Sequence, residues 1–386
     1  MTTALKHDAG FTLGLSQAEL RQAGALATAK EISQQPELWR TLLEGFEQET
    51  AGLLPWLTRV LQQSGLRVIL TGAGTSAYIG QALAPYLQQQ LGSQVQVLAL
   101  PTTDLVSHPQ LYLAGEQPVL LVSYGRSGNS PESVAAATIV RQLYPDSHHL
   151  VLSCNADGKL ANMAADDAAT QLWLMPAEAN DQSFAMTSSY SCMLLATMLL
   201  FGADQAQASR MIALSQHLLQ HSVPRLKSLS AHNCDRIVFL GSGPLQAVAR
   251  ELSLKYLELT AGKIPSFYET ALGFRHGPKS LVNQGTQIVL LDALDPYSRR
   301  YDLDMQQELC QDQQALSVQL CSELLDTDLL PDDDSWLCFP YALCGQLLAF
   351  FKAIELGISP DNPCPAGLVN RVVQGVTIYP LTERSW

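Results

Sequence analysis

Two glycine-rich turns in the first half of the chain carry hydroxyl groups suited to holding an anion. They are TGAGTSAY (71–78) and SYGRSGNSPES (123–133), and each follows an apolar strand candidate and opens a helix candidate. Backbone N–H groups at a helix start bind phosphate, and glycines let the main chain approach the ligand. The side chains that would complete such a phosphate site are Thr75, Ser76, Arg126, Ser127 and Ser130.

The same two turns also have a purely structural interpretation, in which the glycines make tight turns and the serines cap helices. Neither turn has G-x-G-x-x-G spacing, and neither carries the lysine of a nucleotide-binding P-loop. The sequence therefore gives only weak support to a dinucleotide or a nucleoside triphosphate. The presence of two hydroxyl-rich turns in one half favours a phosphate ligand over simple capping.

A second group of candidate residues lies on one predicted helix. Glu251, Lys255 and Glu258 recur at i, i+4 and i+7, which places them on one helix face. On a surface helix they would form an ordinary ladder of ion pairs. The surrounding LSLKYLELT is largely apolar, which indicates partial burial. A buried carboxylate beside a lysine is suited to proton transfer, because burial makes a carboxylate more basic and the lysine moderates that effect.

A third candidate is the loop GFRHGPKS (273–280), which holds Arg275, His276 and Lys279 around a Gly-Pro turn. Imidazole titrates near neutral pH, so His276 is a candidate for acid or base catalysis. The alternative is an exposed histidine without a chemical role. The spacing of the loop alone does not decide between the two.

Nothing in the sequence predicts a bound metal or another cofactor. His217 and His221 have metal-compatible spacing but no third ligand, and we interpret the acidic run at 332–334 as a solvated turn. The eight cysteines form no C-x-x-C pair and lie mostly in apolar strings, which favours buried, reduced thiols.

An internal repeat must position these groups. The same pattern, an apolar strand candidate that runs into G-x-G, occurs in RVILTGAGTS (67–76) and RIVFLGSGPL (236–245). A second pair of apolar runs recurs at the same sequence offset: QPVLLVS (117–123) and TQIVLLD (286–292). QLWLMP (171–176) and SWLCFP (335–340) are predicted as a third pair of strands. The strand candidates are continuous apolar runs, as in parallel sheets covered on both faces by helices. We therefore predict a duplicated α/β fold with ligands at the carboxyl ends of the strands.

The predicted organisation has four parts: a helical segment at 1–50, a first α/β domain at 51–204, a second at 205–358 and a tail at 359–386. Helices are predicted at 37–63, 76–91, 131–143, 183–201, 205–229 and 246–259. The most apolar stretch, 193–203, is shorter than the ~20 residues of a membrane span. No export signal is evident, so we expect a cytoplasmic protein.

Composition excludes several classes of function. Hydrophobic residues make up 47% of the 386 residues and charged residues 15%, so the chain can bury a large core. The net charge of −13 argues against broad attraction to nucleic acid or to an anionic membrane. A phosphate ligand would therefore need a local site, and we expect neither nucleic acid nor a membrane as a partner.

Taken in order, TGAGTS, SYGRSGNSPE, ELSLKYLEL and RHGP resemble the tandem SIS (sugar isomerase) domain family over nearly the whole chain after about residue 40. The plan is similar to the isomerase half of glucosamine-6-phosphate synthase. The ending SPDNPCPAGLVNRVVQGV resembles the branch of galactosamine-6-phosphate deaminase/isomerases, also called tagatose-6-phosphate ketose/aldose isomerases. The resemblance implies two flavodoxin-like SIS domains in tandem and a small phosphosugar as substrate.

The resemblance also implies roles for individual residues. The family's phosphate-binding residues map onto Ser76, Arg126, Ser127 and Ser130, with Thr75 beside them. Its base for proton transfer between C1 and C2 maps onto Glu258, its helix lysine onto Lys255, and its ring-opening histidine onto His276. That histidine usually reaches the neighbouring subunit's site, so a homodimer or larger assembly is implied. Within the sugar-contacting segment FAMTSS (184–189), Ser188 stands where the synthase has lysine.

Two departures from the synthase matter. The C-terminal lysine that forms an imine with the ketose is replaced by Gln374, and Lys352 is the last lysine of the chain. The first cysteine is Cys154, so the synthase's glutamine-hydrolysing cysteine is absent. Ammonia is therefore expected as a product, and the implied reaction is conversion of galactosamine 6-phosphate to tagatose 6-phosphate. The alternatives are an aldose–ketose isomerase that releases no ammonia and a non-catalytic sugar-phosphate sensor, although no DNA-binding helix pair is evident.

Overall fold

The computed structural model describes residues 12–165, 167–373 and 375–381, which form two parallel β-sheets with helices between the strands. The first sheet has the order β2-β1-β3-β4-β5 and the second β7-β6-β8-β9. The strands are β1 (Arg67–Thr71), β2 (Gln96–Ala99), β3 (Val119–Gly125), β4 (His148–Ser153), β5 (Thr170–Leu174), β6 (Arg236–Gly241), β7 (Ser266–Glu269), β8 (Thr286–Leu291) and β9 (Ser317–Leu320).

The helices of the described chain alternate with these strands. In the first half they are α1 (Gln17–Ala23), α2 (Leu26–Ser33), α3 (Gln35–Glu49), α4 (Leu53–Leu61), α5 (Thr75–Leu91), α6 (Thr102–Ser107), α7 (Pro109–Tyr112), α8 (Pro131–Leu143), α9 (Lys159–Ala165) and α10 (Ser188–Leu200). In the second half they are α11 (Gln205–His221), α12 (Val223–Ser230), α13 (Pro244–Leu259), α14 (Ala271–Phe274), α15 (Ser298–Asp312) and α16 (Cys338–Glu355).

The sequence repeat is a structural repeat, and the predicted α/β fold class is confirmed. β1 pairs with β2 on one side and β3 on the other, as β6 pairs with β7 and β8, and every pairing is parallel. The strand order 2-1-3-4 common to both sheets is the flavodoxin-like order. All residues of β1 and β8 are buried, which explains why these strands read as continuous apolar runs.

One predicted pair of strands is wrong in its second member. QLWLMP contributes to β5, but SWLCFP contains a short 3₁₀ helix, Asp334–Leu337, and the start of α16. The apolar run continues through 18 helical residues of α16, so its local composition could not distinguish a strand from a buried helix. The third pair of equivalent strands in the repeat is instead β4 in the first sheet and β9 in the second, which are related by the same sequence offset as the other pairs.

Among the described residues, one helical segment that the sequence analysis did not single out, Asp334–Glu355, is both long and apolar. By length and composition this helical segment could cross a membrane, but 94% of its most apolar window is buried inside the protein. Its burial is that of a core helix. The predicted helix at 131–143 is α8 itself, whereas the predicted helix at 37–63 is divided between α3 and α4.

Contacts divide the chain into two compact units. The first-sheet unit comprises Thr41–Asn180, Ser189–Asp204 and the tail from 369, and the second-sheet unit comprises 12–40, Asp181–Ser188 and Gln205–Leu368. Buried aliphatic side chains such as Leu121 and Val151 form a core in the first unit, and Phe274 and Leu290 belong to a core in the second. The domain boundaries at 50, 204 and 358 stay predictions.

Candidate active site

The turn between β1 and α5 is shaped by close contact between main chain and helix. A Cβ atom at Gly72 would lie 2.6 Å from the main chain of Ser76, so only glycine fits there. Gly74 adopts a φ of +56° as the N-cap of α5. Thr75 and Ser76 follow in the first helical turn and are buried. The positive end of α5 and two hydroxyl groups are thus brought to the end of β1.

The turn between β3 and α8 presents a second helix start. Ser130 is the N-cap of α8, and its Oγ accepts a hydrogen bond from the Ser133 N–H at 3.4 Å. Ser127 is half-buried, and its Oγ accepts from the Asn129 N–H at 3.3 Å. Hydroxyls of this kind add donors to the amides of a helix N-terminus.

The structure places these two turns side by side in the first-sheet unit. β1 and β3 are hydrogen-bonded neighbours, and Thr71 pairs with Ser123 at their carboxyl ends. The strand order changes direction between β1 and β3, which is the position where open parallel sheets bind ligands. We call the residues Thr75, Ser76, Arg126, Ser127 and Ser130 the cradle.

Arg126 gives the cradle its cation. The residue is 5% exposed, and its Nη2 donates to the main-chain oxygen of Arg371 at 2.8 Å. The tail therefore reaches the cradle, a contact across 245 positions that the motif did not reveal.

The carboxyl end of β4 and the residues that follow it hold the main chain of the cradle in place, which the sequence analysis missed. Asn155 Nδ2 donates to the main-chain oxygen of Ser127 at 2.9 Å, and Ser153 Oγ donates to that of Gly125 at 2.9 Å. Both residues belong to the apolar string VLSCN (151–155), whose composition gave no sign of this role.

The equivalent edge of the second sheet has the opposite electrostatic character. Asp292 follows β8 and is fully buried, where it accepts from the Ser322 N–H at 2.9 Å and pairs with Arg299 at 3.2 Å. Asp302 accepts from the Ala293 N–H at 2.9 Å, and burial raises its pKa to about 6. Buried carboxyl groups at this edge disfavour a phosphate, so the two repeats have diverged in the chemistry of their sites.

The helix face predicted for proton transfer is on α13 in the second-sheet unit. Lys255 is 1% exposed, and its Nζ lies 3.5 Å from Glu251 Oε1 and 2.5 Å from Glu258 Oε2. Glu251 is fully buried, whereas 24% of the Glu258 side chain is exposed. The surface-ladder interpretation is therefore wrong for the first two residues. Glu258 combines contact with a buried cation and access from solvent.

The loop that carries His276 follows α14 in the same unit. His276 is exposed, and its main-chain N–H donates to the Gly273 oxygen at 2.9 Å. The neighbouring cations do not face solvent freely, since Arg275 and Lys279 both pair with Glu308 on α15. The observed exposure of His276 is compatible with the interpretation of a histidine without a chemical role. A role of His276 in catalysis stays a prediction.

Ser188 lies in the interior of the second-sheet unit. It is fully buried, and its Oγ donates to the main-chain oxygen of Glu31 at 2.6 Å and accepts from Gln34 Nε2 at 3.0 Å. Asp181 accepts from the Ser188 N–H at 2.9 Å and fixes the main chain there. Contact between Ser188 and a sugar stays a prediction.

The described residues contain no cluster of three or more side chains that could hold a metal ion. The rings of His217 and His221 lie 4.2 Å apart, and His217 Nε2 lies 3.4 Å from Asp326. Lys352 is 2% exposed and donates to the His232 oxygen at 2.9 Å. Gln374 lies outside the described residues. Six of the eight cysteines are buried.

Two parallel sheets of flavodoxin-like order in one chain define a tandem α/β protein. The chain belongs to the SIS domain family, whose model matches residues 60–203 and 231–354. The chain is 52% identical to a protein of Shewanella sp. (strain ANA-3) named D-galactosamine-6-phosphate deaminase AgaS, over 96% of each chain. A relative of the same name from Escherichia coli O157:H7 is 41% identical over 92% of this chain and 95% of its own length.

A solved structure gives the same result for the fold. The crystal structure of tagatose-6-phosphate ketose/aldose isomerase from Escherichia coli matches with a TM-score of 0.84 and 38% identity, over 93% of this chain and 98% of that chain. The predicted membership of the tandem SIS family is confirmed.

Proposed function

We propose that this chain is an enzyme that converts galactosamine 6-phosphate into tagatose 6-phosphate and ammonia. The observation that carries the proposal is the partly exposed carboxylate of Glu258, which is bonded to the buried ammonium of Lys255 on α13. Relatives with 52% and 41% identity carry the name of a galactosamine-6-phosphate deaminase, which supports the same substrate. The phosphosugar is the partner, and no cofactor is needed for these steps.

The reaction is assigned to residues as follows. The cradle holds the phosphate through helix amides, hydroxyls and the Arg126 guanidinium. His276 assists ring opening, and Glu258 removes the proton on C2 of the open-chain aldehyde. O1 takes up a proton, Glu258 returns its proton to C1, and the product is an imine at C2. Water adds to this imine, and ammonia leaves as the C2 ketone forms. Lys255 stabilises the negative charge that develops between these steps.

The deciding experiment is an ammonia-release assay with purified protein. Galactosamine, glucosamine and N-acetylgalactosamine 6-phosphates are compared, with hexose 6-phosphates alongside. We expect ammonia from galactosamine 6-phosphate with the highest kcat/KM. A protein that interconverts aldose and ketose phosphates but releases no ammonia would be an isomerase, the second candidate, which the name of the Escherichia coli structure favours. Binding without turnover of any sugar phosphate would indicate a sensor.

The cradle can be tested independently of the chemistry. Ser127→Ala and Arg126→Met should each raise the KM for the phosphosugar by roughly 10- to 100-fold and change kcat much less, because a hydrogen bond to a charged group is worth about 1.5–3 kcal/mol. Competition by inorganic phosphate should weaken in parallel. Ser209→Ala removes an exposed hydroxyl on α11 and is the matched control. Unchanged competition by phosphate in both variants would exclude these residues from the phosphate site.

We further propose a cytoplasmic homodimer or larger assembly. Four large apolar side chains on α13, β7 and α14 are more than a third exposed: Leu257, Phe267, Tyr268 and Leu272. β7 is an edge strand, and exposed apolar edges are sites of association. His276 lies two positions after the end of α14, so an assembly through this surface would bring a second copy near the His276 loop.

Light scattering after size-exclusion chromatography measures the assembly directly. Leu272→Asp should lower the molar mass from that of a dimer or larger species, because burying the new carboxylate at an interface is unfavourable. Leu303→Asp places the same charge at an exposed leucine on α15, which is 39% exposed, and should leave the mass unchanged. A wild-type protein that elutes as a monomer would contradict the proposed assembly.

A further inference from the structure

One carboxylate on α15 contacts cations on both sides of His276. Glu308 Oε2 lies 2.7 Å from Arg275 Nε, and Glu308 Oε1 pairs with Lys279 Nζ. Arg275 precedes His276 directly, and Lys279 follows it by three positions. A single side chain therefore bridges the H-G-P turn at both ends.

Two further acids extend this contact along the helix. Asp304 Oδ2 lies 2.7 Å from Arg275 Nη2, and Asp312 Oδ2 lies 2.6 Å from Lys279 Nζ. The three acids follow one another at intervals of four residues, so they share one face of α15. Asp304, Glu308 and Asp312 are called the α15 clamp below. Lys279 and Arg275 hold the pKa of Glu308 below its usual value, so the carboxylate is charged at neutral pH.

Main-chain hydrogen bonds hold the backbone of the turn, whereas the side chain of its central residue is exposed. Phe274, at the end of α14, is fully buried, whereas His276 and Gly277 are exposed. Gly277 has a φ of +130°, a conformation that only glycine adopts readily, and glycine restrains the adjacent peptide weakly. The ion pairs of Arg275 and Lys279 with Glu308 restrain the residues on either side of this turn.

We propose that Glu308 is a positioning residue that holds the imidazole of His276 in place for ring opening through Arg275 and Lys279. This inference rests on the proposed function, because it assumes that His276 acts on the sugar. A displacement of a catalytic group by about 1 Å can cost on the order of 100-fold in rate, so a modest loosening of the loop has a measurable effect. One third of the Glu308 side chain is exposed to solvent, so added salt should weaken its ion pairs with Arg275 and Lys279.

The first test replaces Glu308 by glutamine, which keeps the shape and removes the charge. We expect kcat to fall by roughly 10-fold with KM changed less than about 2-fold, because binding through the cradle is retained. Amide exchange should become faster at Ser280 and Val282, whose N–H groups donate to Gly277 and Lys279. Glu308→Asp should recover part of the rate, because it restores the charge.

A matched control separates this effect from a general loss of surface charge. Glu323 pairs with Arg225 at 2.9 Å in the same unit, and both side chains are nearly half exposed. Glu323→Gln should leave kcat and amide exchange of the His276 loop unchanged. The same loss of kcat in both variants would overturn the proposal.

A double-mutant cycle shows whether Glu308 acts through His276. Glu308→Gln should cause no further loss of kcat in a His276→Asn background. An equal loss in both backgrounds would overturn the positioning role. Normal turnover by His276→Asn alone would refute the role of His276 in the proposed function. The proposal that Glu308 raises kcat by positioning His276 would then fail as well. Unchanged amide exchange in Glu308→Gln would refute the clamp itself, whichever role His276 has.

Discussion

Glu258→Gln is expected to fold normally and to lose turnover by at least 10²- to 10⁴-fold, the range that a general base contributes. Glutamine keeps the length of glutamate and can still accept a hydrogen bond from Lys255 Nζ, which lies 2.5 Å from Glu258 Oε2. It cannot take a proton from carbon. Because the cradle is unchanged, the variant should still bind galactosamine 6-phosphate.

The matched control is a second lysine and glutamate pair with the same spacing. Lys352 is 2% exposed and pairs with Glu355 at 3.1 Å, also at i and i+3. Glu355→Gln should therefore reproduce any cost of neutralising a glutamate beside a buried lysine. We expect its turnover to stay near that of the wild type.

Two readouts distinguish the base from a group that only binds substrate. Ammonia release reports the complete reaction, and loss of deuterium from C2-labelled substrate into solvent reports the first proton transfer. Both should fall together in Glu258→Gln. Near-normal ammonia release by this variant would overturn the assignment of Glu258 as the base.

Sequence was most informative where the main chain alone determines position. The runs RVILT and RIVFLG predicted buried parallel strands, and the glycines after them predicted tight turns into helices. Gly74 and Gly243 have nearly the same φ, +56° and +59°, so the two repeats preserve this turn at the level of dihedral angles. Steric contacts between neighbouring residues determine the backbone angles of these turns, and the local sequence therefore predicts them.

Contacts between distant side chains were not predictable in this way. The bond from Arg126 to the tail spans 245 positions, and Glu308 reaches back to Lys279 over 29 positions. Which acid on α15 faces which cation depends on how α14 and α15 pack, which no local pattern encodes. Helical spacing predicted that Glu251, Lys255 and Glu258 share a face, but only the packing of α13 shows that the first two are buried.

The largest expected effect on stability follows from the same helix. Lys255→Met should destabilise the second-sheet unit by about 3–5 kcal/mol, because it removes the cation beside the fully buried carboxylate of Glu251. Methionine fills a similar volume, so little of this loss would come from a cavity. The midpoint of thermal unfolding should fall on the order of 10 °C. Turnover should also be lost, since the charge that we propose stabilises the intermediate is gone.

The companion variants separate stability from catalysis. Glu251→Gln alone should cost less than Lys255→Met, because Lys255 keeps its bond to Glu258. The double variant, Lys255→Met with Glu251→Gln, should recover much of the unfolding midpoint, because a neutral amide is less costly to bury than a charge that has lost its ion-pair partner. Its turnover should remain lost. Recovery of ammonia release in the double variant would show that Lys255 serves the fold and takes no part in the reaction, whereas recovery of stability alone assigns it both roles.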